Sequence, residues 1–329
     1  MRDFEYFEPV RLEEAVSLLG RYGKEAKLLA GGTDLLVTMK QGVVKPSYII
    51  NIKRIPDMNS ISHSEGKGFR IGSLTTLREV ESFPLVRRWI GVLAQAARQV
   101  STTRIRSLGT IGGNLCQDVK CVYYPWAYLW RRAACHRAGG DTCYLVKGAG
   151  KCQAMATSDL APVLVALGAK VVITGRSGEK TVPVEQFFVE AGMTVLQEDE
   201  LLTTIEIPDM PLGTVGVYLK HSRRGAVGFA IAGVAVVLTF GVDNETCNEA
   251  RISLIGVGRT PLRASKAEAI LKGQIITESL IEQVSKKASA EARPVSDIHG
   301  SADYRRRIVG SLARQAIFRV WDTVKTTGV

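Results

Sequence analysis

An α+β fold in two parts is predicted by three features of this sequence. The first 55 residues alternate short apolar strands with helical periodicity around a Gly-Gly turn. Pro208-Asp209-Met210-Pro211 then breaks the pattern near residue 210. Beyond the break, three strands are followed by three helical stretches, the order expected of a smaller C-terminal domain with a three-stranded sheet and helices.

Taken in order, Leu12, Ala15, Val16 and Leu19 repeat at helical spacing, with Glu13 and Glu14 pointing away. Ala26 to Ala30 reads as a strand, and Gly31-Gly32-Thr33-Asp34 as a turn into a helix from Leu35 to Lys40. Thr33 or Asp34 is its natural N-cap. Tyr48 to Asn51 is the next strand, which makes residues 1–55 a βαβ-like unit. N–H groups at such a strand–Gly-Gly–helix junction can hold an anion such as a diphosphate. Two short strands flank Gly66-Lys67-Gly68, and Thr76-Leu77-Arg78-Glu79 has the spacing of a capping box. Ile90, Leu93, Ala94 and Ala97 form an apolar helical stripe, ahead of a second Gly-Gly turn, Thr110-Ile111-Gly112-Gly113-Asn114. Two such turns are placed to grip one nucleotide from opposite sides. Ser158-Asp159 opens a helix from Leu160 to Leu167, and strands follow at Lys170 to Thr174 and Leu201 to Ile207. The second part has strands at Val215 to Lys220, Phe229 to Phe240 and Ala250 to Gly256, then helices at Ala264 to Lys272, Ser279 to Ala292 and Ala302 to Val324. Tyr304, Ile308, Leu312, Ala316 and Val320 mark one side of the last helix, which leaves Arg305-Arg306-Arg307 on a solvated face.

At 329 residues, 46% hydrophobic and 23% charged, the chain is globular and long enough for more than one domain. The longest apolar run, Ala230 to Phe240, is well short of the roughly 20 residues of a membrane span. No signal peptide is visible at Met1-Arg2-Asp3-Phe4-Glu5, and a cytoplasmic location is expected. The net charge of +11 raises nucleic acid as a partner, but no nucleic-acid-binding signature accompanies it, and the basic residues are spread along the chain. No nucleic-acid partner is expected.

Five of the six cysteines, Cys116, Cys121, Cys135, Cys143 and Cys152, lie between the second Gly-Gly turn and Asp159. Clustered thiols in a reducing compartment suggest metal rather than disulfides. The spacings of the last four contain no pair two to four residues apart, the usual mark of zinc, although Cys116 and Cys121 leave four between them. Spacing therefore leaves iron–sulfur, zinc and unliganded thiols open. From Cys116 to Cys152, Lys120, Arg131, Arg132, Arg137, Lys147 and Lys151 face Asp118 and Asp141, a local excess of positive charge suited to a thiolate cluster. Tyr123, Tyr124, Trp126, Tyr128 and Trp130 offer apolar cover.

Leu29-Ala30-Gly31-Gly32-Thr33-Asp34, Thr110-Ile111-Gly112-Gly113-Asn114, Ser158-Asp159-Leu160-Ala161-Pro162 and Asp199-Glu200-Leu201-Leu202-Thr203 resemble the FAD-binding medium subunits of the xanthine dehydrogenase, or molybdenum hydroxylase, family. The resemblance spans nearly the whole chain. It implies a two-part FAD-binding domain of vanillyl-alcohol-oxidase-like type over 1–210, divided at 55, and a C-terminal flavoprotein domain over 211–329. Most members pass directly from the second turn to the Asp-Leu turn, whereas here residues 116–156 are inserted. That insertion looks like the loop of the 4-hydroxybenzoyl-CoA reductase β subunit, which carries a [4Fe-4S] cluster. The likeness implies Cys121, Cys135, Cys143 and Cys152 as ligands, with Cys116 and Cys247 as bystanders.

For FAD, the resemblance implies a diphosphate held by backbone N–H groups of both turns, with Leu29, Leu35, Thr75 and Leu202 also at the site. Asp159 is expected on the flavin's sugar side and Lys220 facing the isoalloxazine ring. The implied partners are a molybdopterin-containing large subunit and a [2Fe-2S] small subunit in a hetero-oligomer, with a ferredoxin-like carrier outside it. The chain would relay electrons and supply no acid–base chemistry, and the implied substrate of the complex is an aromatic acyl-CoA. A xanthine or carbon monoxide dehydrogenase-like subunit using NAD or quinone is the alternative. Because loop and turns are separate in sequence, loss of the cluster is expected to leave FAD bound.

Overall fold

The computed structural model describes residues 3–125 and 133–327. Trp126, Tyr128, Trp130, Arg131 and Arg132, named above as cover and charge for the cysteine loop, lie outside the described residues. β1 (Glu5–Phe7), β2 (Ala26–Leu29) and β3 (Tyr48–Asn51) form a parallel sheet in the order β1-β3-β2. The helix Leu12–Tyr22 joins β1 to β2 and buries Ala15, Val16 and Leu19, while Glu13 and Glu14 stay exposed. The helix Leu35–Lys40 joins β2 to its neighbour β3, which completes the βαβ unit around the first Gly-Gly turn.

A second sheet is built from β4 (Ile61–Ser64), β5 (Gly68–Gly72), β6 (Lys170–Gly175), β7 (Gly178–Pro183) and, after a ribbon of β8 (Phe188–Glu190) and β9 (Met193–Thr194), β10 (Leu201–Ile207). Its order is β4-β5-β10-β6-β7, antiparallel throughout. Strands far apart in sequence therefore meet, and the chain between β5 and β6 is free to carry helices and the cysteine loop. The helix Leu77–Ser82 starts on the expected capping box: Thr76 Oγ1 accepts from the Glu79 N–H at 3.2 Å, and Glu79 Oε2 accepts from the Thr76 N–H at 2.7 Å. Such a cap contributes about 1 kcal/mol. The helices Gly91–Arg98 and Leu160–Ala166 pack Leu93, Ala97, Leu160 and Leu164 into the core beneath this sheet.

The C-terminal part holds β11 (Thr214–His221), β12 (Ala232–Phe240), β13 (Thr246–Ile255), β14 (Leu262–Arg263) and β15 (Gln274–Ile275). The sheet has five strands rather than the expected three, because β14 and β15 pair separately with the two ends of β13. Each has two residues, too few to show a period. The helices Ser265–Leu271, Glu278–Glu291 and Ala302–Thr327 cover one face of this sheet. The last buries Val309, Ala313, Ala316, Ile317 and Val320, a stripe turned slightly from the expected one. That turn brings Arg305 inside, contrary to the solvated face expected of it. Its guanidinium donates to the carbonyls of Ile231 and Gly256 and pairs with Asp297 at 2.7 Å.

The two parts share a core. Tyr218, Ala235 and Val237 of the C-terminal sheet pack in one cluster with Leu93 and Leu160. β11 is an edge strand, and its free backbone groups are met by glutamines from the helix Gly91–Arg98. Gln95 Oε1 accepts from the Tyr218 N–H at 2.9 Å, and Gln99 Nε2 donates to the Tyr218 carbonyl at 3.2 Å. Among the described residues, no helix is long and apolar enough to cross a membrane.

Candidate functional site

The two Gly-Gly turns line a single open cleft of about 540 Å³ between the parallel sheet and the second sheet. They abut: a side chain at Gly31 would collide with the Leu108 carbonyl oxygen, so only glycine permits this approach. Gly32 has φ +71°, in the left-handed region that favours glycine. From the first turn, Ala30, Gly31, Gly32, Thr33, Asp34 and Leu35 reach the cleft; from the second, Thr110, Gly112, Gly113 and Asn114 do, and Leu202 closes the floor. Leu29, Thr75, Ile111, Asp159 and Lys220, also expected there, do not line it. Leu29 ends β2, where its carbonyl accepts from the Ile52 N–H at 3.2 Å. Thr75 and Ile111 are fully buried, and the Thr75 carbonyl accepts from the Ile111 N–H at 2.9 Å, which ties the second turn to β5's end.

The turns differ in what their N–H groups can do. Among the described residues, no protein acceptor meets the N–H groups of Gly31, Gly32, Thr33 or Asp34. Such a nest suits an anion. In the second turn the N–H groups of Ile111, Gly112 and Asn114 donate to the carbonyls of Thr75, Ser73 and Thr110 at 2.9 Å each, and that of Gly113 to Thr110 Oγ1 at 3.1 Å. The expected use of both turns' amides therefore narrows, in the second, to Thr110, whose N–H meets no protein acceptor among the described residues; those of residues 111–114 are engaged by protein. The second turn also offers the cleft the exposed Gly113, whose missing Cβ would meet only Thr110 Oγ1, at 3.0 Å.

Asp159 and Lys220 meet each other instead of the cleft. Lys220 Nζ lies 2.9 Å from Asp159 Oδ2 and 2.6 Å from the Gln99 carbonyl, and the Tyr218 hydroxyl donates to Asp159 Oδ1 at 2.7 Å. Both charged side chains are almost wholly enclosed. Burial raises the Asp159 carboxyl pKa, while Lys220 and Tyr218 pull it back. Tyr218 is pushed well above its ordinary value by burial and by the adjacent carboxylate. These groups clamp β11 to the helices Gly91–Arg98 and Leu160–Ala166. The latter helix is capped by Ser158, whose Oγ accepts from the Ala161 N–H at 3.2 Å and donates to Asn114 Oδ1 at 2.6 Å.

Sequence reasoning missed the rest of the cleft wall. Asp118, Lys120 and Arg137, all from the inserted loop, line it with Val100, Ser101 and Phe229. Asp34, expected as a helix cap, makes no such bond. Its carboxylate accepts from the Asp118 N–H at 2.9 Å and forms an ion pair with Lys120. Arg137 pairs with Asp118 at 2.7 Å and donates to the Gly192 carbonyl at 3.0 Å. Lys120 also lies 5.9 Å from the Phe229 ring centre. Beyond Lys120 and Phe229 a second cavity, of about 450 Å³, continues between the loop and residues 223–231. Loop and turns are thus separate in sequence but joined in space. The charges already noted along the insertion, Asp118, Lys120 and Arg137 among them, were the signal in the sequence.

Cys121, Cys135, Cys143 and Cys152 converge on one small cavity, which shares Arg137 with the large cleft. Burial pushes the Cys121 thiol up to about 11; a hydrogen bond from the Tyr123 backbone opposes this, and Cys152, Cys135 and Cys143 add to the rise. Four soft donors fit an iron–sulfur or zinc centre by chemistry. As they stand, no three His, Cys, Asp or Glu side chains among the described residues are arranged to hold a metal ion. Cys116 lines the cleft instead, and Cys247 is buried in the C-terminal sheet.

A cleft walled by unengaged turn amides and continued by a second cavity suits an elongated dinucleotide. Comparison with known proteins agrees. Residues 2–210 match the family described as the FAD binding domain in molybdopterin dehydrogenase, and residues 217–320 the CO dehydrogenase flavoprotein C-terminal domain. The chain is 31% identical to the carbon monoxide dehydrogenase medium chain of Hydrogenophaga pseudoflava over 97% of each chain. It is 26% identical to the 6-hydroxypseudooxynicotine dehydrogenase complex subunit alpha of Paenarthrobacter nicotinovorans, over 98% of this chain and 96% of that one. A solved carbon monoxide dehydrogenase from Hydrogenophaga pseudoflava superposes with a TM-score of 0.82 at 32% identity, covering 98% of both chains. The chain belongs to the FAD-binding medium subunits of the molybdenum hydroxylase family.

Proposed function

We propose that this chain is the flavin- and iron–sulfur-carrying subunit of a cytoplasmic molybdenum hydroxylase-type complex that reductively dehydroxylates an aromatic acyl-CoA such as 4-hydroxybenzoyl-CoA. Its partners are a molybdopterin-containing large subunit and a [2Fe-2S] small subunit, and a ferredoxin-like carrier exchanges electrons with the loop. The observation that carries this reading is the convergence of Cys121, Cys135, Cys143 and Cys152 on one cavity that shares Arg137 with the FAD cleft. FAD supplies the exchange between two-electron and one-electron chemistry when bound. The chain's own residues bind and orient. The N–H groups of Gly31 to Asp34 receive the diphosphate, Gly113 leaves room for it, and the four thiols ligate a [4Fe-4S] cluster.

A second reading, which the likeness to carbon monoxide dehydrogenase medium chains brings in without setting it above the first, is a xanthine or carbon monoxide dehydrogenase-like subunit using NAD or quinone, with the loop as a later addition. Iron and flavin analysis of the anaerobically purified chain separates the two. About four irons per flavin are expected, lost on Cys143→Ser. A flavin-only spectrum, or iron retained in Cys143→Ser, would overturn the cluster assignment.

A further inference from the structure

The first turn poses an electrostatic problem. Its free N–H groups invite an anion, yet Asp34 places a carboxylate at the same turn. A diphosphate approaching it meets like charge unless Asp34 is neutralised. The neutralising groups come from the inserted loop: the Asp118 N–H, at 2.9 Å, and the Lys120 ammonium. Lys120 has three N–H donors, and among the described residues Asp34 is the one protein acceptor it meets. Its side chain is half-buried in the cleft wall, over Phe229 and at the mouth of the second cavity. The cation that the family resemblance led us to expect, Lys220, is enclosed by Asp159 and two carbonyls and is not in the cleft.

We propose that Lys120, carried on the cysteine loop, is a FAD-binding residue that bridges Asp34 of the first glycine turn to the cofactor's diphosphate. This rests on the FAD assignment of the cleft. Its two remaining donors face the anion while the third holds Asp34, so the turn presents a net attraction where Asp34 alone would repel. The inserted loop is then a wall of the flavin site as well as the carrier of the thiols.

The test is titration of the flavin-free full-length chain with FAD, followed by flavin fluorescence over a range of salt concentrations. Lys120→Met is expected to weaken FAD binding about 10- to 100-fold, the loss of a hydrogen-bonded charge contact. The dependence on salt should flatten, Lys120→Arg should recover most of the affinity, and riboflavin, which has no phosphate, should bind wild type and variant alike. The Asp34→Asn, Lys120→Met double variant removes the alternative that Lys120 only neutralises Asp34. It also keeps the comparison open where the single variant, with Asp34 unpaired, does not fold. The double variant is expected to stay weak. Wild-type affinity in it, or in Lys120→Met itself, would overturn the role of Lys120 and leave the FAD assignment intact. A wild-type chain that takes no FAD would overturn the assignment itself.

Discussion

Lys220 holds its ammonium against Asp159 and the carbonyls of Gln99 and Ala226, all within the protein. Removing one partner of a buried ion pair leaves the other charge uncompensated, at a cost of about 3–5 kcal/mol. Lys220→Met is therefore expected to lower the denaturation midpoint of the flavin-free chain sharply, and Asp159→Asn added to it to restore part of the loss. FAD affinity should change little in the folded double variant. A tenfold weakening there, with stability restored, would return Lys220 to the flavin. The family resemblance pointed to Lys220 as the cation at the flavin, and Lys120 counted only toward the charge of the loop. Only the packing of β11 against the helix Gly91–Arg98 decides which one is enclosed.

At the scale of elements, Gly112 and Gly113 are adjacent but serve different purposes. A Cβ on Gly112 would lie 2.7 Å from Ser73 Cβ and 2.8 Å from its carbonyl oxygen, so Gly112→Val disturbs the contact between the second turn and the end of β5. Gly113 faces the cleft. Gly113→Val is expected to leave the circular dichroism spectrum unchanged and to weaken FAD binding at least tenfold, whereas Gly112→Val should lower solubility or thermal stability. Full FAD affinity in a folded Gly113→Val chain would show that nothing is bound against this turn. The elements themselves were largely legible: the helix Leu12–Tyr22, the strand–turn–helix at Gly31-Gly32 and the capping box at Thr76 all follow from local spacing. β14 and β15 were not, because two-residue strands have no period and exist only through β13. Nor was the inward turn of Arg305, since the Ile231 and Gly256 carbonyls that hold it come from distant parts of the chain. At the site, the glycine positions were readable as turns, but how many free N–H groups each kept depended on the Ser73 and Thr75 carbonyls just after β5.

Over the whole molecule, charge decides how a carrier approaches. The chain bears +11 overall. The loop contributes less of the outward field than its composition suggests, because Lys120 pairs with Asp34, Arg137 with Asp118, and Lys151 with Glu190 at 3.0 Å. Attraction of an acidic carrier should therefore depend on the summed field of the surface more than on the loop alone, and weaken as the screening length falls to about 10 Å at 0.1 M salt. The route inward is local. Arg137 lines both the thiol cavity and the flavin cleft, which places the proposed cluster against the flavin's wall. The cluster-free Cys143→Ser chain, supplied with saturating FAD to offset any loosening of the loop, should keep flavin reduction by dithionite. It should lose rapid flavin reduction by a reduced ferredoxin. Stopped-flow measurement of the wild-type chain should show that rate falling as salt rises. An unchanged ferredoxin rate in the cluster-free chain would mean that electrons reach the flavin without the thiols, and that the loop serves the flavin site only as a wall.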